Sequence, residues 1–419
     1  MLQWIRMAWR NLGRHRGRTI LSLAVVTIGV LVVILFKGMI DGMLDTMYSY
    51  NINLNSGHVR VIRPEYTVKE RLLSLSYPVG ETGKSYSQLI KDIRRLPGVK
   101  NAMGRIRFGM MLVNGENQET ALGIGAEIDR EEQVSHLSRY LKGNGAGRLP
   151  RAGSQEILLG MDLMRKLHLG VGSKVNAVFS TSFGSFNVAT FRVVGKLASG
   201  LQLLDNGAAY IPLDQAMRLL EMDNVVTEIV AYGSTSAQTS RLTREIGTYL
   251  RNGNEKLQVI PWDQYNDLIM TMQKAKAAYN FVYTLILLLA SFVIFNTLMM
   301  VVAERTREIG MLTALGMTPV EIRRLFLCEG LLIALIGSFT GTVLGGAANW
   351  LMSRTGIDLS SAMGMIPKEL TFMPRLYPSY SPAVLVFSFL LGVAVTVLAA
   401  YLPARRAALL EPTQALRTI

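Results

Sequence analysis

The sequence predicts a polytopic membrane protein: four membrane-spanning α-helices carrying one large extracytoplasmic α+β domain between the first and second. Three observations predict it. Half of the 419 residues are hydrophobic and the mean hydropathy is +0.28, more apolar than a soluble chain of this length. Four uncharged apolar runs are each long enough to cross a bilayer. The segment 45–272, between the first two runs, alternates strand and helix periods instead.

The N-terminal segment 1–18 places Trp4, Ile5, Ala8, Trp9 and Leu12 at helical spacing with arginines between them. That pattern suits an amphipathic helix in the membrane interface, tryptophans at headgroup level. The first span, 19–44, is built on the run Thr19 to Phe36, which covers ~27 Å at 1.5 Å per residue against a hydrocarbon thickness of ~30 Å. No small-residue cleavage site follows, and Lys37 to Asp41 reads as continuing helix, which argues against a signal peptide. The second span with its stalk is 273–303, on the run Ala277 to Ala303; the third is 329–352, on Gly330 to Met352; the fourth is 382–404. A Lys or Arg at mid-bilayer costs ~2.5–3.5 kcal/mol, and the four runs have none.

Flanking charge sets the orientation. Arg6, Arg10, Arg14, Arg16 and Arg18 precede the first run, and Arg305, Arg307, Arg323 and Arg324 lie between the second and third. Arg405, Arg406 and Arg417 follow the fourth. The positive-inside rule places both termini, the 304–328 connection and the 405–419 tail in the cytoplasm, with 45–272 and the 353–381 loop outside. The net charge of +14 is thereby assigned to membrane orientation rather than to nucleic acid. One cysteine, Cys328, excludes an intrachain disulfide and a multi-cysteine metal site.

In the outer domain, His58–Ile62 alternates as a strand, and Tyr86–Leu96 has helical periodicity that stops at Pro97-Gly98. Gly109–Gly123 reads as a hairpin turning at Asn114-Gly115. Strands follow at 156–159, 174–180 and 187–196, with a helix over 161–167. The segment 208–220 reads as strand then helix, 225–232 as strand, 236–250 as helix and 257–260 as a last strand. Residues 262–276 are expected to continue helically into the second span, and 143–153 is a Gly-rich loop.

Two patterns are decoys. Gly80-Glu81-Thr82-Gly83-Lys84-Ser85 resembles the end of a phosphate-binding loop, but Pro78 stands where its first glycine belongs and no apolar strand feeds it. The four histidines have no metal-ligand spacing, and no G-x-S-x-G elbow marks a hydrolase. No catalytic or metal residue is expected.

The informative stretch is 296–322, NTLMMVVAERTREIGMLTALGMTPVEI. It reads as a membrane helix continuing past the bilayer, breaking at Gly316 and restarting at a Thr318-Pro-Val-Glu321 capping box. Glu304, Arg305, Arg307 and Glu308 are interleaved with Ile309, Leu312 and Leu315. Such a segment either joins two spans as a solvated hairpin or docks a partner by charge register and an apolar ridge. Asn296 sits in an otherwise apolar run, where hydrogen bonding between helices is its expected role.

This stretch resembles the signature of the FtsX/MacB/LolC-LolE superfamily of ABC permeases, an N-T-L/M element followed by E-R-x-R-E-I-G-x-L-x-A-L-G. The closing run from Leu402 to Arg417 is similar to the family's P-x-R-x-A-x-x-x-P-x-x-A-L-R, and Trp9–Ser22 to its W-R-N-L…R-x-R-T-x-L-S element. The resemblance covers nearly the whole chain. It implies a MacB-like periplasmic core outside the bacterial inner membrane and a permease that hydrolyses no ATP itself. ATP and Mg would be bound by a cytoplasmic ABC ATPase dimer, with a second permease copy or a sibling completing the assembly. On that reading Glu304, Arg305, Arg307, Glu308, Gly310, Leu312, Leu315 and Gly316 form the ATPase-coupling segment. Phe36, Met39, Ile40 and Met43 would line substrate access from the outer leaflet.

Within the superfamily, length and domain plan fit the lipoprotein-releasing LolC/LolE group best, so lipoprotein or lipid extraction is the leading expectation. Efflux of amphiphiles or peptides, as in MacB, and non-transporting control of a periplasmic hydrolase are the alternatives. LolC carries a long, proline-containing hook that recruits a periplasmic lipoprotein chaperone. Its counterpart here, Phe179 to Phe186 with Phe183 between, is short and lacks proline. Membrane lipids and a lipoprotein or its chaperone complete the expected partners, and no nucleic acid is among them.

Overall fold

The computed structural model describes residues 2–14, 16–141, 147–199, 202–264, 306–358 and 375–409. Between 265 and 305 it describes positions 278, 279, 281–285, 288, 289, 292, 295, 296, 299, 300, 302 and 303. The chain divides into two compact units, one formed from both ends of the sequence and one from Met47–Thr271. Helix α1 (Leu2–Arg14) buries Ala8 and leaves Trp9 60% exposed. Helix α2 (Arg16–Tyr50) then runs for 35 residues, longer at both ends than the apolar run inside it. A π-helical turn, Asn51–Ser56, continues α2 to Gly57.

The Met47–Thr271 unit is an α+β domain. Its strands are β1 (Val59–Ile62), β2 (Asn101–Asn114), β3 (Asn117–Ala126), β4 (Glu156–Gly160), β5 (Lys174–Ser180), β6 (Phe186–Leu197), β7 (Ala208–Pro212), β8 (Glu228–Tyr232) and β9 (Gln258–Pro261). Its helices are α3 (Pro64–Lys69), α4 (Tyr86–Arg94), α5 (Ile128–Ser135), α6 (Met161–Lys166), α7 (Gln202–Gly207), α8 (Leu213–Leu219) and α9 (Thr239–Asn252). The strand order is β3-β7-β4-β6-β5-β2-β8-β1-β9, and β2 also pairs with β3. The first six strands therefore close into a ring, and β2 is long enough to leave it and start the β8-β1-β9 sheet. One continuous buried cluster draws on all six ring strands, including Leu112, Ala121, Leu159, Ala177, Phe191 and Ile211.

Most of the expected elements are present, with three departures. The β2–β3 loop is Gly115-Glu116 rather than Asn114-Gly115, because Asn114 still pairs with Asn117. Gly115 takes φ +61° while Glu116 stays at negative φ, the pattern of a turn with glycine first. Residues 262–264 form a 3₁₀ turn, not the start of a stalk helix, and the rest of that expected stalk lies outside the described residues. The short helices α3, α5 and α7 were not anticipated.

The other unit adds α10 (Thr306–Ala314), α11 (Pro319–Thr355) and α12 (Pro382–Ala408), with the two-residue strands β10 (Ile357–Asp358) and β11 (Arg375–Leu376) paired between them. Three helices among the described residues are long and apolar enough to span a membrane: Thr19–Ser56, Pro319–Thr355 and Pro382–Ala408. The expected span 273–303 lies largely outside the described residues, although its described positions from 281 onward are helical.

Helix α11 is the centre of this unit because it carries small residues on two faces. Cβ atoms at Gly337, Gly341 and Gly345 would approach Val26, Thr27 or Ile34 of α2 to 3.2 Å or less, so these glycines set how closely α2 can lie. On the other face, Gly330 meets Ala400 and Gly346 meets Leu385 of α12. Lipid tails are as apolar as leucine, so close backbone approach is the main gain from such packing.

Candidate functional site

The segment expected to couple to an ATPase is built by two adjoining end-caps. At the end of α10, Met317 N–H donates to Leu312 C=O (3.1 Å) and Gly316 N–H to Thr313 C=O (3.0 Å). That is a Schellman motif, and Gly316 supplies the φ of +99° it needs. Two residues on, Thr318 and Glu321 cap each other reciprocally and Pro319 occupies the first turn, as the sequence predicts. The capped helix then runs unbroken into the span, so the expected separate cytoplasmic arm and third span are one helix, α11.

One face of α10 is anchored. Ile309 is 1% exposed and packs in a cluster with Ile322 and Phe326 of α11 and Ala404 and Ala407 of α12. The ridge expected to include Ile309 therefore excludes it, because Ile309 faces inward. Gly310 is buried and Leu312 half-buried. The opposite face presents Arg307, Met311 (51% exposed) and Leu315 (84% exposed), each four residues apart and so in one stripe. Met311 was missed, and the spacing of four from Arg307 was the signal for it. Glu304 and Arg305 lie outside the described residues, as does the Glu308 side chain. Arg405 and Arg406 are exposed in the last turn of α12, whose Ala404 and Ala407 touch the α10 cluster. This end of the unit is thus basic, with an uncovered apolar stripe on a short helix.

At the other end of α2, Phe36 is exposed and lies edge-on to Tyr283 with ring centroids 6.2 Å apart. Lys37 pairs with Asp41 at 3.2 Å and sits 5.2 Å over the same Tyr283 ring. The first and second apolar runs therefore meet here. Met39 and Met43 are half-buried. Ile40 is 6% exposed, so it packs within the protein and is withdrawn from the surface expected to line substrate access. Asn296 is exposed on its helix.

The β5–β6 connection is a tight turn, closed by Thr181 N–H to Ser185 C=O (2.8 Å) and Gly184 N–H to Thr181 C=O (3.0 Å). Ser182 N–H donates to Leu220 C=O (3.0 Å) and the Asn187 side chain to Leu219 C=O (3.2 Å), pinning the tip to the end of α8. Phe183 and Phe186 are 82% and 83% exposed, and Val188 is exposed beside them. A groove of about 890 Å³ opens between them and Leu73, Met111 and Leu122. Phe179 also lines this groove, but from within the core. It is buried and packs edge-on to Phe108 at 5.8 Å, because the alternation of Val175, Ala177 and Phe179 turns all three inward.

Among the described residues no group of His, Cys, Asp and Glu side chains is placed to hold a metal. The former decoy loop has a structural use: Lys84 donates to Asp92 (2.8 Å) and to Tyr249 (2.9 Å), tying α4 to α9.

Comparison with known proteins finds two family matches along the chain. The family described as FtsX-like permease C-terminal matches residues 280–412, and the MacB-like periplasmic core domain matches 19–249. The chain is 26% identical over 314 residues to the lipoprotein-releasing system transmembrane protein LolC of Xylella fastidiosa, covering 73% of this chain and 75% of that one. It is 24% identical over 355 residues to LolE of the same kind of system in Haemophilus influenzae, covering 82% and 84%. The periplasmic region of MacB from Actinobacillus actinomycetemcomitans aligns with 49% of this chain and 88% of its own length, at 13% identity and a TM-score of 0.34.

Proposed function

Because the chain belongs to the FtsX-like permeases with a MacB-like periplasmic core, the ABC-transporter permeases of the LolC/LolE/MacB type, we propose that it extracts lipoproteins or lipids from the outer leaflet of the bacterial inner membrane. A separate cytoplasmic ATPase dimer would bind ATP and Mg and drive it, with a second copy or a sibling permease alongside. Four spans, cytoplasmic termini and an external domain over 45–272 form part of this reading.

The observation that supports it most directly is the capped helix α10, anchored through Ile309 and exposing Arg307, Met311 and Leu315. A rigid short helix with an apolar stripe and a flanking cation is suited to a groove on a soluble partner. Glu304, Arg305, Glu308, Gly310, Leu312 and Gly316 would complete that element. Phe36, which lies against Tyr283, with Met39 and Met43 would form the surface for an entering acyl chain, and Phe183 and Phe186 the contact for a periplasmic partner.

A second reading has one observation in its favour. The five-residue turn 181–185 is short for a chaperone-recruiting hook, which suits MacB-like efflux of amphiphiles or peptides. Purification in mild detergent followed by ATP-dependent lipoprotein release from reconstituted vesicles tests the first reading. Recovery of an ABC ATPase with release of a lipoprotein is the expected result. An associated ATPase with no release at any lipoprotein tried would move the assignment to efflux. Gly310→Pro removes a helical hydrogen bond inside α10 and costs ~3 kcal/mol there. It is expected to abolish ATPase co-purification while membrane insertion persists, and normal co-purification would refute the coupling assignment.

A further inference from the structure

The outer face of the strand ring changes character along its length. Successive residues of a strand point to opposite faces, so where Val175, Ala177 and Phe179 turn inward, Lys174, Asn176 and Val178 turn outward. Lys174 pairs with Arg192. Two residues along, Asn176 pairs with Thr190 and with Val113, and Val113 pairs with Gln118. Two residues further, Val178 pairs with Val188 and with Met111, and Met111 pairs with Thr120. Val188 is 62% and Met111 36% exposed, so a row that began charged ends apolar in water. Apolar residues scattered singly over a surface need no explanation, whereas a contiguous apolar patch rimmed by polar groups marks a binding surface.

This apolar row is the floor of the 890 Å³ groove, whose size falls within the ~300–1,000 Å³ of small-molecule sites. The segment 72–76 walls it. Leu73 holds φ +50°, a strained backbone for a bulky residue, and its Cδ1 stands 3.8 Å from where Gly109 would carry a Cβ. Glycine at 109 therefore keeps the floor open beneath that wall. None of the described residues lining the groove is charged. The hollow of about 730 Å³ beside α4 and α5 is the contrast, lined by Lys91, Arg94 and Arg130 together with Glu127, Asp129 and Asp214. A phosphate headgroup would find no cation in the 890 Å³ groove. An acyl chain needs none, and Met110 and Met111 supply side chains that adapt to its shape. The polar groups at the rim include the exposed hydroxyls of Ser76 and Thr120, which suit a neutral ester or amide.

We propose that this groove on β2, β3, β5 and β6 holds one acyl chain of a lipoprotein, with the neutral ester or amide at the chain's head against the hydroxyl rim. The fit to an uncharged chain stands on the groove alone, and the choice of a lipoprotein as its source rests on the permease reading. A lipoprotein's chains are joined through uncharged ester, thioether and amide groups, whereas a phospholipid brings a phosphate that this lining leaves unpaired.

The test uses the full chain, with the ATPase that accompanies it, in vesicles of phosphatidylethanolamine and phosphatidylglycerol. The probe is a synthetic triacyl-cysteine lipopeptide with a photoactivatable diazirine at the end of one chain, and mass spectrometry locates its adducts. Labelling needs no ATP. Adducts are expected on β2, β3 and the 178–186 segment. Met111→Glu, which sets a charge on the floor, and Gly109→Leu, which fills it, are each expected to lower those adducts at least fivefold, while adducts elsewhere in the chain stay within twofold. Thr190→Glu, on the polar row of the same face, is expected to leave them within twofold. Adducts confined to the spanning helices, or groove adducts unchanged by both floor variants, would overturn the site. Equal groove labelling by a diazirine phosphatidylglycerol would overturn the lipoprotein as source. ATP-dependent release, read in the same vesicles, reports on the permease reading separately. Release without groove adducts would overturn the groove alone, and groove adducts without release would overturn the permease reading and leave the acyl site standing.

Discussion

Gly341 offers the sharpest test of how the spanning unit is held together. A methyl group there would lie 2.6 Å from the Thr27 carbonyl oxygen and 2.9 Å from Val30 Cβ, both on α2. The first contact is backbone, so relief requires moving a helix. At Gly337 the neighbours are the Val26 side chain at 2.7 and 2.9 Å, and at Gly345 all three neighbours stand at 3.2 Å. Alanine in a helix gains about 1 kcal/mol over glycine, and overpacking a tight interface costs about 1–3 kcal/mol. Gly345→Ala should therefore be neutral to stabilising by up to about 1 kcal/mol, with the small clash offset by propensity. Gly337→Ala should fall between. Gly341→Ala should lose about 1–2 kcal/mol net, close to tenfold in the unfolding equilibrium. Gly17→Ala, with nothing within 4 Å of the added carbon, is the control for propensity alone. Reversible unfolding of the full chain in mixed micelles, followed by tryptophan fluorescence, reads the series. Equal shifts for all three alanine variants would refute the reasoning, since propensity without contact predicts that result.

Three other outcomes follow from the Met47–Thr271 unit. Phe183→Ser with Phe186→Ser should change melting by no more than about 0.5 kcal/mol, as both rings are already in solvent, and on the proposed function should abolish capture of a partner at that surface. Phe179→Ala should cost about 3–5 kcal/mol of domain stability through a buried cavity, and a melt unchanged by it would contradict the packing described. The Glu156 carboxylate, hydrogen-bonded by Arg148 and by the Arg151 N–H, is held down at about 2. Its folded pKa is depressed, so its contribution is complete above the unfolded value of about 4.3 and is lost as pH falls toward 2. Arg148→Gln should lower Tm at pH 7 and converge on the native curve by pH 2, and a constant difference across that range would show that the pair does not carry the effect.

Local signals were legible in the sequence and distant ones were not. Long uncharged runs marked α2, α11 and α12 because a bilayer-length apolar helix needs no tertiary context. Thr318 and Glu321 marked their cap because both partners lie within four residues. The ring closure was hidden, since β3–β7 and β4–β6 are parallel pairs between segments far apart in sequence. On α10, charge and apolar type identified the segment and spacing put Met311 on a different face from Ile309, but only α12 in view shows which face is anchored. Phe179 was recoverable: it shares the inward register of Val175 and Ala177, in a strand the sequence had already marked.

The ring has a consequence for crowding. Strands β2 and β3 pair with each other, so among the described residues the main sheet offers one open edge, that of β9. That edge is four residues long, and its last member, Pro261, has no N–H to donate. An unpaired strand is a template for a neighbour's strand, and short proline-ended edges are poor templates. Copies held side by side at a membrane surface would meet through side chains rather than merge their sheets, so each domain can approach and separate repeatedly without fusing to its neighbour.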